Sequence, residues 1–187
     1  MRTPILALGL ASVVIAATPL TVSAQTVGQF YGEAGYSKLN VDIDIPGVPE
    51  FKPDALRLSI GYVPVPNLAV EGLFATGLSG SSKNIDGVNV KVDLEESFGI
   101  YLRPFVDLND TVQLYARLGF ISAKAKVSAS VPGFSASVTD RDEDFSYGIG
   151  AAFNLSKSMA LTVDYNQFYD KDGVDVSGYG IGLRFNF

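Results

Sequence analysis

The chain contains no cysteine, no histidine and no tryptophan. Without cysteine there is neither a disulfide staple nor a thiolate metal centre. Without histidine, the side chain that most often acts as general base at neutral pH is missing. No phosphate-cradling glycine loop, metal-ligand cluster or nucleophile–base pair takes its place, so neither an enzyme nor a cofactor is expected. Cations are outnumbered, 14 Lys and Arg against 20 Asp and Glu, for a net charge of −6. With no basic stripe, nucleic acid is excluded as a partner. Beyond residue 24 no apolar run approaches the roughly 18 residues that a membrane helix needs. Yet 47% of the chain is hydrophobic and 19 residues are glycine. Hydrophobicity that is high but never continuous has to be spread by alternation, which suits a barrel better than a helical bundle.

The first 24 residues read as a signal peptide. Arg2 gives a positive start, Ile5 to Ala17 an apolar segment, Thr18-Pro19 a break, and Val22-Ser23-Ala24 small residues for cleavage after Ala24. Cleavage would leave 163 residues (187 − 24) with a net charge of −7, because Arg2 is the only charge removed. The expected domains are therefore 1–24, the signal peptide, and 25–187, the barrel.

A turn motif recurs along the mature part. Ile45-Pro46-Gly47-Val48, Ile85-Asp86-Gly87-Val88 and Val131-Pro132-Gly133-Phe134 share one pattern, and Asp172-Gly173-Val174 repeats its second half. Pro-Gly and Asp-Gly make tight turns because proline presets its φ and glycine accepts a positive one. Between these tips lie Pro64-Val65-Pro66-Asn67, Asp107-Leu108-Asn109-Asp110 and Asn154-Leu155-Ser156-Lys157. Four tips on one side and three short turns on the other require eight strands, predicted at 29–41, 55–63, 68–79, 88–102, 112–130, 134–153, 159–169 and 174–187. The tip spanning 40–54, with three prolines, is predicted to be irregular, while the hairpin around Pro132-Gly133 is predicted to continue as one long ladder.

Alternation divides each strand into two faces. Leu56, Leu58, Ile60 and Tyr62 share one, as do Phe145, Tyr147, Ile149, Ala151 and Phe153. The opposite face holds Tyr101 and Tyr115 and, as its charged members, Glu33, Arg57, Glu71, Glu95, Arg103, Arg117, Asp164 and Arg184, spaced by Gly, Ala and Ser. Eight strands leave an interior just wide enough for side chains to fill, and a lone charge there is costly, so these residues are expected to pair as an interior charge network. Such a network is either a gated ion path or a polar plug, and the narrow bore favours the plug. Glu96 is the misfit: a regular strand would put it on the apolar face, which predicts a β-bulge between Val92 and Phe98 or a shifted register.

The last strand alternates Tyr179, Ile181, Leu183, Phe185 and Phe187 with small or polar residues. This aromatic ending, the signal peptide, the eight strands and the opening Phe30-Tyr31-Gly32-Glu33-Ala34-Gly35-Tyr36-Ser37 resemble the small outer-membrane barrel family that contains the OmpA transmembrane domain, OmpX and Ail. The resemblance covers residues 25–187. It implies an all-β, eight-stranded antiparallel up-and-down transmembrane barrel in the cell outer membrane, with both termini and the short turns in the periplasm. It also implies that Tyr179, Phe185 and Phe187 form the signal read by the barrel-assembly machinery. Enzymes among small barrels depend, as families, on a catalytic histidine that this chain lacks. Asp140, Asp142, Glu143 and Asp144 read as a solvated run or as contacts to divalent cations bridging lipopolysaccharide. Two functions are thus expected to compete. One is a structural and interaction barrel whose outer hairpins meet lipopolysaccharide or another extracellular ligand. The other is a narrow porin-like channel or small-ligand conduit, for which the many inward glycines would make room.

Overall fold

The computed structural model describes residues 25–187 except 86 and 172, so the expected signal peptide, residues 1–24, lies outside the described residues. The described chain forms β1 (Phe30–Ile43), β2 (Asp54–Val65), β3 (Leu68–Ser79), β4 (Ser81–Ile85), β5 (Val88–Asp107), β6 (Val112–Val131), β7 (Phe134–Asn154), β8 (Met159–Lys171) and β9 (Val174–Asn186). Every neighbouring pair is antiparallel. β1 pairs with β9 from Tyr31↔Asn186 to Ile43↔Val174, and β3 pairs with β5, so the sheet closes on itself. Nine segments make eight staves, because β3 and β4 run end to end against β5. The predicted third strand therefore continues past its expected end, after a break at Gly80. A Cβ there would lie 1.9 Å from Asp93 Oδ1, and the adjoining β2–β3 ladder shifts register at Asp54/Ala55.

The four tip glycines, Gly47, Gly87, Gly133 and Gly173, all have φ between 77° and 90°. That left-handed conformation is nearly free for glycine and strained for residues with a Cβ, which is why the recurring motif punctuates the chain where it does. At the opposite end Asn67 turns the β2–β3 connection with φ 62°. The first tip is irregular but tethered. Residues 44–53 fold back so that Phe51 and Val41 exchange backbone hydrogen bonds of 2.8 and 2.9 Å.

The two faces behave oppositely. Ile60, Ile100 and Ile149 point outward at 61%, 73% and 68% exposure, whereas Arg57, Arg103, Arg117 and Arg184 point inward and are fully buried. A soluble sandwich would bury the first set and wet the second. A continuous apolar belt outside, around a polar inside, is built for hydrocarbon. Aromatic pairs mark both rims of the belt: Phe30–Tyr62 near the termini, with ring centroids 4.6 Å apart, and Phe74–Phe98 and Phe120–Phe145 near the hairpins, at 5.0 and 5.6 Å.

The misfit in the fifth segment resolves as a bulge. The β5–β6 register slips between Leu94 and Glu96, leaving Glu95 as the extra residue. Both glutamates end in ion pairs with cations of the β6–β7 hairpin, Glu95 with Lys124 at 2.8 Å and Glu96 with Arg141 at 2.6 Å. Glu95 is thus not in the interior set where alternation alone puts it. An extra residue shifts every position before it by one, so counting parity through the bulge assigns Glu95 the wrong face.

Candidate functional site: the charged lumen

The lumen is filled at mid-height by side chains from five staves. Arg117 of β6 donates from Nε to Glu71 Oε1 of β3 at 2.6 Å, from Nη1 to Asp164 Oδ2 of β8 at 2.7 Å, and from Nη2 to Glu33 Oε1 of β1 at 3.2 Å. Arg57 of β2 grips Asp164 with both terminal nitrogens, at 2.9 and 2.6 Å, and approaches Glu33 at 3.4 Å. Neutral donors also reach Glu71 and Asp164, while Glu33 Oε2 is buried with no hydrogen-bond partner among the described residues. The hydroxyl of Tyr31 reaches Glu71 at 2.9 Å, that of Tyr115 reaches Asp164 at 3.1 Å, and the Asn166 amide reaches Asp164 at 2.7 Å. All five charged residues are nearly or fully buried. Forked guanidinium contacts to carboxylate in a narrow, buried space are directional as well as strong.

The other two arginines form a second tier toward the termini. Arg103 of β5 and Arg184 of β9 share the side-chain carbonyls of Gln113 and Gln25. The Gln113 contacts are 3.1 Å each, and the Gln25 contacts 3.2 and 3.3 Å. The Arg103 guanidinium lies over the Tyr115 ring, 3.8 Å from its centroid, and stands 3.9 Å from Glu71. Both arginines flank Tyr31, at 5.6 and 5.5 Å. Of the eight residues expected in the network, the structure brings five together in one cluster, sets Arg103 and Arg184 among amides and aromatic rings, and places Glu95 apart with Lys124.

Charge and the alternating Tyr101 and Tyr115 mark the inward face in sequence, but the neutral partners Tyr31, Gln113 and Asn166 were missed. Gln113 stands at the same parity as Tyr115 and Arg117, and Tyr31 at that of Glu33, so alternation did contain the signal. At three inward glycines neighbouring side chains take the space. A Cβ on Gly61 would meet the Tyr31 ring at 2.0 Å, one on Gly148 the Asn166 amide at 2.1 Å, and one on Gly150 the Tyr115 ring at 2.5 Å. Their missing side chains make space for large neighbours.

The last strand completes the wall. Phe187 donates its N–H to the Phe30 carbonyl at 3.0 Å, and Phe30 donates back at 3.2 Å. The outward aromatics Tyr179, Phe185 and Phe187 are exposed at 64%, 48% and 72%.

Comparison with known proteins places this architecture. The chain is 27% identical over 118 residues to the attachment invasion locus protein of Yersinia pseudotuberculosis, covering 63% of each chain. It is 32% identical over 90 residues to outer membrane protein X of Enterobacter cloacae, covering 47% of this chain and 51% of that one. The matched part thus spans about half to under two thirds of these curated relatives. The crystal structure of Ail from Yersinia pestis, also solved with the heparin analogue sucrose octasulfate, superposes with a TM-score of 0.62 over 87% of this chain and 100% of its own, at 23% identity. The profile of the outer membrane protein beta-barrel domain matches residues 5–187. With a closed antiparallel wall, an apolar belt outside and charge within, the chain belongs to the outer membrane protein beta-barrel domain family and resides in the outer membrane of a Gram-negative cell.

Proposed function

We propose that this protein is a plugged structural and interaction barrel, which stabilises the outer membrane and makes its contacts through the hairpins at the end remote from the termini. One observation carries the plug: Arg117 crosses the lumen and binds carboxylates on three other staves at once. An eight-stranded interior is narrow, and this one is spanned by paired charges. In this reading residues 1–24 are removed after Ala24, the termini face the periplasm, and Tyr179, Phe185 and Phe187 are read by the barrel-assembly machinery.

The hairpins would meet lipopolysaccharide or another extracellular ligand, in keeping with the attachment role that the Yersinia relative's name carries. A sulfated polyanion, the ligand class seen with Ail, fits this chain poorly. Its hairpin end carries Asp42, Asp44, Glu50, Asp140, Asp142, Glu143 and Asp144 with fewer cations between them, and like charge repels such a ligand. Neutral surfaces, or lipopolysaccharide bridged by divalent cations, suit it better.

The test is single-channel conductance of the refolded mature protein in a planar bilayer, with Arg117→Ala alongside. Silence of the native protein, shown to be folded by its heat-dependent gel mobility, is expected. Steady ohmic steps that grow in Arg117→Ala would establish the narrow-channel alternative instead.

A further inference from the structure

Above the charged cluster the lumen changes character. Most inward positions above it are apolar, with Leu39, Val41, Leu73, Val92 and Ile121 all buried, although Ser37, Ser97, Asp93, Asp140 and Asp142 share the lining. In a water-filled barrel the inward face is polar, yet here much of the inward face above the cluster is apolar. These side chains do not close upon one another. They surround a cavity of about 290 Å³. At roughly 30 Å³ per molecule it has the volume of about ten waters, but its walls give them few hydrogen-bond partners. Cavities of that kind take apolar guests more readily than water. The wall is reinforced at the hairpin end, where Phe51, fully buried, packs with Val41 and Val92.

We infer that this chamber is a blind-ended binding site for a small uncharged apolar molecule, of one ring or a short hydrocarbon chain, entering from the hairpin end. Three features select that class. The volume is at the lower edge of the roughly 300–1,000 Å³ typical of ligand pockets, so the guest is small. Asp140 and Asp142 line the chamber and repel an anionic head group. Arg57, which also lines it, has both terminal guanidinium nitrogens committed to Asp164 and Glu33. That last point rests on the reading of the cluster as a plug, since an open floor would turn the chamber into a conduit.

The test is a methyl NMR titration of the mature protein in lipid nanodiscs with toluene as the probe. Ile100 and Ile149, which face lipid, report simple partitioning into the bilayer. Val92 and Ile121 should show shifts that saturate, while Ile100 and Ile149 drift without a plateau. Ala75→Leu and Ala123→Leu each add bulk to the chamber wall, and each should abolish the saturable component; two variants guard against one failing to fold. Lumen methyls that merely track the lipid-facing ones, or saturation that persists in both variants, would overturn the site. The conductance measurement separates the two readings: saturable binding in a conducting barrel keeps the site and removes the plug, and no binding in a silent barrel does the reverse.

Discussion

Replacing Arg117 with methionine preserves most of the side chain's bulk and removes the cation that reaches Glu33, Glu71 and Asp164 together. Asp164 and Glu33 would keep Arg57, and Glu71 would keep the Tyr31 hydroxyl and an Arg103 Nε at 3.9 Å. Three buried carboxylates would then share one close guanidinium. Removing one partner of a buried ion pair costs about 3–5 kcal/mol, whereas a volume-conserving change costs under about 1.5 kcal/mol. The charge effect should therefore dominate. With a urea slope of about 2 kcal/mol per M, the unfolding midpoint should fall by about 2 M. The assay is urea unfolding of the barrel refolded in lipid, followed by the gel-mobility difference between folded and unfolded forms.

Arg184→Met is the built-in contrast. Its described hydrogen bonds go to amide carbonyls of Gln25 and Gln113, not to carboxylates, so its removal should shift stability by about 1 kcal/mol or less in either direction. Adding Glu71→Gln to Arg117→Met should recover part of the loss, because it neutralises a charge left short of a partner. An Arg117→Met midpoint equal to that of the native protein, or an equal cost for Arg184→Met, would refute the assignment of the pairing energy to the central cluster.

Three further outcomes are expected. Gly61→Ala places a Cβ into the Tyr31 ring, and the resulting overpacking should cost about 1–3 kcal/mol in the same unfolding assay. Phe187→Ser should lower the amount of barrel assembled in cells while changing the stability of refolded protein by about 1 kcal/mol or less, since this exposed side chain sits at the interfacial rim; an equal loss in both measurements would mean that Phe187 acts by packing alone. In the hairpin extension the Tyr169 hydroxyl donates to Asp142 at 2.5 Å and the Glu143 N–H to its other oxygen at 2.8 Å, and these bonds hold the Asp142 carboxyl below its ordinary range. A depressed folded value stabilises above the unfolded carboxylate value of about 3.9 and is lost as pH falls through it. Amide exchange at the β7–β8 end should therefore quicken below about pH 4 and lose that dependence in Asp142→Asn.

Most of the wall was legible because period-two alternation and turn chemistry are local signals. The tip glycines, the short turns and seven of the strand positions needed only neighbours in sequence to be read. What was not legible depends on neighbours across the sheet. The split at Gly80, where a Cβ would meet Asp93 of the opposing strand, and the bulge at Glu95 in the β5–β6 register are both of this kind. In the lumen, parity selected inward charges well but could not rank them. Arg103 and Arg117 look alike in sequence, and only their heights in the barrel decide that one faces carboxylates and the other glutamines. Residues 44–53, although irregular, place Phe51 as core, since a tethered loop needs no repeat to be buried.

The seam between β1 and β9 joins the first described strand to the last, pairing Tyr31 with Asn186. These two residues stand 155 positions apart (186 − 31), so the wall cannot be sealed until nearly all of the described chain is available. Contacts so distant in sequence carry a large loop-closure cost and form slowly. Until they form, Glu33 and Arg57 sit in a half-open sheet whose free edges cannot be left bare in hydrocarbon. The order of events is therefore constrained: the free edges must stay paired or shielded until β9 docks on β1, and closure and filling of the lumen must coincide.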